Sequence, residues 1–219
     1  MRKMLLTTMT VSLVGLWACA PATTDAPPPP VVSAPAIDGP ADSAPAQKLT
    51  LGFAQVGAES DWRKANTESI KAEAEKRGHE LKFSDAQQKQ ENQIKAIRSF
   101  IAQGVDVIAF APVVETGWDA VLAEAKAANI PVILSDRTIN TQDETLYTAF
   151  VGSDFREEGR RAGKWLAEKT NGEASILELQ GTPGSAPANE RKAGFAEAIA
   201  DFPNMKIVKS QTGEFTRAM

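Results

Sequence analysis

Cysteine and histidine are almost absent from this 219-residue sequence, which contains one of each. The single cysteine, Cys19, rules out an internal disulfide bond and a cysteine-based zinc site, and the single histidine, His79, argues against a histidine-based one. No serine lies in a G-x-S-x-G turn, and no two carboxylates pair at a spacing suited to glycoside hydrolysis. We therefore expect a protein that is not an enzyme and that holds no metal or cofactor.

An excess of positive charge is also missing. The 24 Lys and Arg residues against 28 Asp and Glu residues give a formal net charge of −4, and the pI is about 5.2. A nucleic-acid-binding domain usually carries a basic patch and a high pI. The composition therefore argues against a nucleic-acid partner.

The first 18 residues predict a signal peptide of the lipoprotein type. Two basic residues precede an apolar stretch over residues 4–18, which is too short to cross a membrane comfortably. It ends in Leu16-Trp17-Ala18-Cys19, which resembles the bacterial lipobox, where cleavage before the cysteine leaves its thiol to be lipidated. Cleavage after a nearby alanine, which would give a soluble secreted protein, is the alternative. We favour a periplasmic or cell-envelope lipoprotein that contacts the membrane only through Cys19.

Residues 19–47 differ in composition from the rest of the chain. Residues 20–47 hold eight of the 13 prolines, with Ala, Ser and Thr making up much of the remainder. Such a segment cannot bury a core and is typical of an extended tether. A proline-rich recognition ligand is the alternative, but a tether also explains why a lipobox precedes it.

Strand and helix patterns alternate from residue 48 onward. The predicted strands cover residues 49–56, 80–83, 105–110, 130–134, 146–151, 176–179 and 206–208, and the predicted helices cover 61–77, 90–103, 115–128, 155–170 and 188–202. The helical periodicity places Trp118 and Trp165 in the core. Strand-plus-helix units recur roughly every 25 to 30 residues, which predicts βαβ winding and a parallel sheet. Because the last unit is unfinished at Met219, we expect a truncated chain.

Polar loops follow these strands and predict one binding site. Loops at the carboxyl ends of parallel strands meet at one edge of the sheet, where ligands bind in open α/β folds. The tryptophan among them offers a flat apolar face to a sugar ring, while its charged neighbours can bond hydroxyls. The candidates are Glu59, Ser60, Trp62, Arg63, Asp136, Arg137 and, from a later helix, Arg191.

Each candidate also has a purely structural alternative. The Asp136–Arg137 pair could be a surface salt bridge at the end of a strand. Trp62 could pack against the edge of the sheet. The others could be solvated or helix-capping side chains: Glu59, Ser60, Asp61, Arg63 and Arg191.

Several short stretches carry a family resemblance. They are residues 55–63, 87–93, 135–137, 178–181, 190–192, 210–211 and 215–217. Together they resemble the type I periplasmic sugar-binding proteins of ABC transporters, nearest to the ribose- and galactofuranose-binding branch. The resemblance implies a periplasmic binding protein-like I fold with two doubly wound parallel-sheet lobes and a hinge. The lobes would be residues 48–152 and 153–219, the second one incomplete.

The resemblance also implies roles for the candidate residues. Trp62 would stack on a monosaccharide of the galactofuranose or ribose type, and Arg191 would reach it from the second lobe. Phe215 aligns with an aromatic residue of the cleft. The remaining first-lobe candidates would bond ring and hydroxyl oxygens: Glu59, Ser60, Arg63, Asp136 and Arg137.

An ABC transporter permease is the partner that this family implies, with the binding protein acting as a monomer. Two alternatives use the same fold. One is a sugar-sensing lipoprotein that docks a chemoreceptor or a sensor kinase. The other is the effector domain of a LacI-like regulator, which would need an N-terminal DNA-binding helix-turn-helix where this sequence has an export signal and a tether.

Overall fold

The first five strand patterns assemble into one parallel sheet. In the computed structural model, which describes residues 47–217, the strands are β1 (Thr50–Gln55), β2 (Glu80–Asp85), β3 (Val107–Phe110), β4 (Val132–Asp136) and β5 (Ala149–Gly152). Their order is β2-β1-β3-β4-β5, and every neighbouring pair is parallel. The carboxyl ends of all five strands therefore share one edge. The predicted signal peptide, lipidation site and tether lie outside the described residues and stay predictions.

Helices α1 (Asp61–Lys76), α2 (Gln90–Ala102) and α3 (Asp119–Ala127) connect these strands. Trp118, at the N-cap of α3, is buried as predicted, and Val121, Leu122 and Ala125 are buried within the helix. Gly52 inside β1 allows α2 to lie close to the sheet, because a Cβ at this position would be 2.6 Å from Phe100 Cγ. We call this sheet with its three helices the first lobe.

Two boundaries in the first lobe differ from the prediction by three residues or more. Helix α3 begins at Asp119 rather than at residue 115, because Gly117 has φ 86° and interrupts the helical path. Strand β5 begins at Ala149 rather than at residue 146, because Glu144–Leu146 forms a single 3₁₀ turn. The Asp143 side chain caps this turn by accepting from Thr145 N–H.

The second lobe consists of α4 (Phe155–Lys169), β6 (Glu173–Gln180), α5 (Ala186–Ile199) and β7 (Asn204–Thr212). Strands β6 and β7 are parallel, and α4 packs against α5. Asp154 caps α4, because its side chain accepts from Glu157 N–H at 2.8 Å. The prediction that Trp165 lies in the core is wrong, since it is 59% exposed.

Candidate functional site

A cavity of about 430 Å³ lies between residues of the first and second lobes. Its volume is in the range of small-molecule binding sites. The structure brings all eight predicted ligand-binding residues to this cavity: Glu59, Ser60, Trp62, Arg63, Asp136, Arg137, Arg191 and Phe215. Four further residues line it: Ser153, Phe155, Glu158 and Pro187.

Four charged residues of the first lobe form what we call the charge cluster. Arg63 Nε donates to Glu59 Oε1 at 3.1 Å, and its Nη2 donates to Asp136 Oδ2 at 2.7 Å. Arg137 Nη2 lies 3.6 Å from Glu59 Oε1. Both arginines are 2% exposed, so the alternatives of a solvated Arg63 and a surface Asp136–Arg137 salt bridge are wrong. Two guanidinium groups face two carboxylates, and the cluster as a whole is neutral.

The environment of Arg137 is unfavourable for a charge. Burial lowers the pKa of Arg137 to about 10, and the positive charge of Arg63 acts in the same direction. Glu59 and Asp136 oppose this lowering of the pKa, while the positive charge of Arg191 adds to it. The Arg137 guanidinium is still protonated at neutral pH, and it therefore presents a poorly solvated charge to the cavity.

Three buried atoms of the charge cluster have no hydrogen-bond partner among residues 47–217. They are Glu59 Oε2, Arg63 Nη1 and Arg137 Nε. A buried polar group without a partner costs about 1–3 kcal/mol, and more when it is charged. One acceptor and two donors are complementary to hydroxyl groups, each of which both donates and accepts. The unsatisfied groups of the charge cluster therefore suit a polyhydroxylated molecule.

Aromatic rings supply the apolar part of the cavity. The Trp62 side chain is 57% exposed, so packing against the sheet edge is not its main role. The Arg63 guanidinium lies 4.8 Å from the Trp62 ring centre. The Arg137 guanidinium lies 5.6 Å from the Phe215 ring centre. The aromatic rings match the apolar C–H face of a sugar ring, and the fixed polar groups beside them match its hydroxyl groups.

Two residues of the cavity adopt left-handed backbone conformations. Asp136 has φ 65° and Phe215 has φ 60°. Such conformations cost roughly 1–3 kcal/mol for non-glycine residues and cluster at functional sites. Gly181 leaves room for the Phe215 ring, because a Cβ at Gly181 would lie 1.9 Å from Phe215 Cζ. The backbone of both lobes is thus shaped around the cavity.

Ser60 acts as the N-cap of α1, as the capping alternative proposed. Its side chain accepts from Arg63 N–H at 3.2 Å. Glu59, which precedes it, is buried in the charge cluster, while Asp61 is exposed and lies 3.7 Å from Lys64. The three consecutive polar residues therefore have three different environments.

Gln93 of α2 connects strand β1 with the chain that follows β3. The side chain is completely buried, and its Nε2 donates to the carbonyl groups of Ala54 at 3.1 Å and Ala111 at 2.7 Å. Its Oε1 accepts from Val113 N–H at 2.9 Å. These bonds hold the end of β1 and the chain after β3 side by side.

Two of the four lining residues that sequence reasoning missed lie in α4. Phe155 and Glu158 occupy its first turn, directly after β5. Because β5 is parallel to its neighbour β4, the residues after it reach the same edge of the sheet as Asp136. The rule that identified the other candidates would have found these two as well.

Direct contacts also join the two lobes. Glu115 N–H donates to the Gly184 carbonyl at 2.9 Å, and Asn189 Nδ2 donates to Glu115 Oε2 at 2.5 Å. Elsewhere, Arg217 Nη2 lies 3.3 Å from Asp61 Oδ2. Polar groups of one lobe thus find partners on the other lobe around the cavity.

Metal ligation and membrane spanning are both unsupported within residues 47–217. In this part of the chain, no group of three or more His, Cys, Asp or Glu residues could hold a metal ion. None of the helices described there combines the length and the apolar character that crossing a bilayer requires.

Comparisons with known proteins agree on one family. A family model described as "Periplasmic binding protein domain" matches residues 51–218. Among curated proteins, the chain is 58% identical over 174 residues to the galactofuranose-binding protein YtfQ of Escherichia coli K12, an alignment that covers 79% of this chain and 55% of the relative. The chain therefore spans little more than half the length of this relative.

Two solved structures resemble the chain closely. The periplasmic binding protein of the arabinose ABC transporter from Shewanella sp. ANA-3, bound to L-arabinofuranose, has 62% identity and a TM-score of 0.74, covering 77% of this chain and 56% of that one. A Mycobacterium smegmatis protein in complex with β-D-fucofuranose has 63% identity and a TM-score of 0.72, covering 77% and 57% respectively. The matched domain includes every residue that lines the cavity, and the chain belongs to the periplasmic binding protein family.

Proposed function

We propose that this chain binds a neutral monosaccharide between its lobes and serves as the solute-binding component of an ABC sugar importer in the periplasm. The observation that carries the proposal is the set of unpaired buried donors and acceptors beside an exposed tryptophan in one cavity. Hydroxyl groups would satisfy those polar atoms, and Trp62 would cover the apolar face of the sugar.

The charges of the cavity support an uncharged ligand. Its cationic residues are Arg63, Arg137 and Arg191, and its anionic residues are Glu59, Asp136 and Glu158. Three positive and three negative side chains leave no excess charge to neutralise a carboxylate or a phosphate. A neutral sugar is therefore favoured over a uronic acid or a sugar phosphate.

The relatives favour sugars in the five-membered ring form. The proteins compared above are named or described for galactofuranose, L-arabinofuranose and β-D-fucofuranose. At about 60% identity, we infer that this chain binds a furanose of the same type. A sugar that binds the closed lobes better than the open ones would shift the protein to the closed form, which a permease can recognise.

Calorimetric titration against L-arabinose, D-galactose, D-fucose and D-ribose tests the proposal, with D-galacturonate as the charged comparison. We expect binding of at least one neutral sugar and no binding of the uronate. Trp62→Ala should weaken binding about tenfold or more, because it removes the exposed aromatic face. Trp165→Ala is the matched control, since Trp165 is 59% exposed and lies outside the cavity lining.

Two outcomes would contradict the proposal: no binding of any neutral sugar, or equal losses in the two tryptophan variants. Uptake of the labelled sugar then separates transport from sensing. Deletion of the gene should abolish uptake if the protein delivers sugar to a permease, whereas a sensory protein would leave uptake intact.

A further inference from the structure

Two residues of the second lobe hold the side chain of Arg191. Its Nε donates to Glu158 Oε2 at 2.7 Å, and its guanidinium carbon lies 4.6 Å from the Phe155 ring centre. Both partners belong to the first turn of α4 and line the cavity. Because Nε is engaged, the two terminal nitrogens of Arg191, which make no hydrogen bond to other residues of 47–217, are the donors left for a ligand.

The crossing of α4 and α5 fixes the distance between Arg191 and these partners. A Cβ at Gly159 would lie 2.1 Å from the Arg191 carbonyl oxygen, and a Cβ at Gly194 would lie 1.9 Å from the Arg156 carbonyl oxygen. The two backbones therefore touch at a point within one helical turn of Phe155 and of Arg191. A backbone contact of this kind leaves little freedom for one helix to move against the other.

We propose that Glu158 and Phe155 are positioning residues, which orient the Arg191 guanidinium before the sugar arrives. The proposal rests on the proposed function, because the sugar is what this guanidinium would meet. A long side chain that is already ordered loses less conformational entropy when a ligand binds. Stacking on an aromatic ring and a hydrogen bond at Nε are two constraints that a planar guanidinium can satisfy together.

This role differs in its consequences from that of a stabilising salt bridge. The side chains of Arg191 and Glu158 are 42% and 41% exposed, and ion pairs with such exposure contribute little to folding stability. Removal of the Glu158 carboxylate should therefore weaken sugar binding and leave the unfolding transition nearly unchanged.

A double-mutant cycle on the full protein tests the proposal, with D-galactose and L-arabinose as probes in calorimetry. Glu158→Ala should weaken binding about five- to tenfold in the wild-type background and have almost no effect in an Arg191→Ala background. Glu158→Gln should weaken binding less than Glu158→Ala does in the wild-type background, because an amide oxygen still accepts a hydrogen bond.

Phe155→Leu, which keeps apolar bulk but removes the ring, should also weaken binding only when Arg191 is present. Glu168→Gln is the control, an exposed α4 residue outside the cavity.

The arginine Nε–H signal in ¹H–¹⁵N spectra of the sugar-free protein supplies a readout that does not depend on binding. For Arg191 we expect slow exchange with water in the wild type and fast exchange in Glu158→Ala. Fast exchange in both would overturn the inference, as would an unchanged affinity of Glu158→Ala or an equal loss in both backgrounds. A wild-type protein that binds none of the sugars would instead overturn the proposed function, and this inference with it.

Discussion

At the scale of single residues, the charge cluster links distant parts of the chain through Arg63. This side chain bonds a neighbour four positions away, Glu59, and also Asp136, which is 73 positions away. Arg63 and Glu59 are almost completely shielded from water, and the Asp136 side chain is 20% exposed, so these charges depend largely on their partners for stabilisation. Loss of one partner from such a group costs more than the pair itself contributes, because an uncompensated buried charge remains.

Arg63→Met keeps the length of the side chain and removes its charge, which leaves Glu59 and Asp136 with Arg137 alone. We expect the free energy of unfolding in urea to fall by about 3 kcal/mol or more. Arg98→Met is the matched control, because Arg98 pairs with Glu124 at 2.7 Å on the exposed surface. It should hardly change the urea curve, and equal shifts in the two variants would contradict the argument from burial.

Much of the site could be predicted from sequence because its residues follow predicted strands. The carboxyl ends of parallel strands meet at one edge, so the positions of Trp62 and Asp136 near each other follow from the topology. The ion pairing inside the cluster could not be predicted, because spacing along the chain does not show that Arg63, rather than Arg137, makes the short contact with Asp136. Nor does the sequence reveal that Asp136 has a positive φ, because aspartate tolerates the left-handed conformation without requiring it.

At the scale of elements, α4 shows why the periodicity rule failed for Trp165. The buried residues of this helix lie four apart, at Phe155, Gly159, Gly163 and Ala167. Three of them are small, because α5 approaches too closely for large side chains. A rule that assigns the largest apolar residues to the core therefore selects the wrong face of this helix. In α3, where the neighbouring elements leave room for large side chains, the same rule is correct.

Gly194→Ala tests this close crossing. In an exposed helix, replacement of Gly by Ala stabilises by about 1 kcal/mol. Here the added Cβ would lie 1.9 Å from the Arg156 carbonyl oxygen, so we expect the opposite sign, a loss of about 1–3 kcal/mol in urea unfolding. The reverse exchange Ala196→Gly, at an exposed position of the same helix, measures the difference in helix propensity between Ala and Gly alone. A stabilised Gly194→Ala protein would contradict the close crossing.

At the scale of the whole molecule, the contacts between the lobes determine how readily they separate. Asn189 and Glu115 form a side-chain hydrogen bond from one lobe to the other. This bond exists only when the lobes are together. Its whole free-energy contribution therefore stabilises the closed form relative to the open one. The backbone bond from Glu115 to Gly184 would survive replacement of either side chain.

Asn189→Ala should therefore shift the sugar-free protein toward longer separations between its lobes. Spin labels at Lys76 and Lys169, in a Cys19→Ser background, would report this separation by pulsed electron resonance. Glu115→Ala should give the same shift, and the double variant no more than either single one. Asn204→Ala, whose side chain contacts Glu173 within the second lobe, should leave the distances as they are. Identical distributions in all of these proteins would contradict a role for this bond in closure.

The contact between α4 and α5 also bears on how sugar preference can diverge. No side chain fits at Gly159 or Gly194, so point mutations there damage the fold before they can adjust the ligand. Trp62 on the first-lobe side of the cavity is 57% exposed, so its side chain can change while the backbone stays in place. The backbone crossing of the second lobe is thus fixed by packing, and new specificities are expected to arise by substitution at exposed cavity positions such as Trp62.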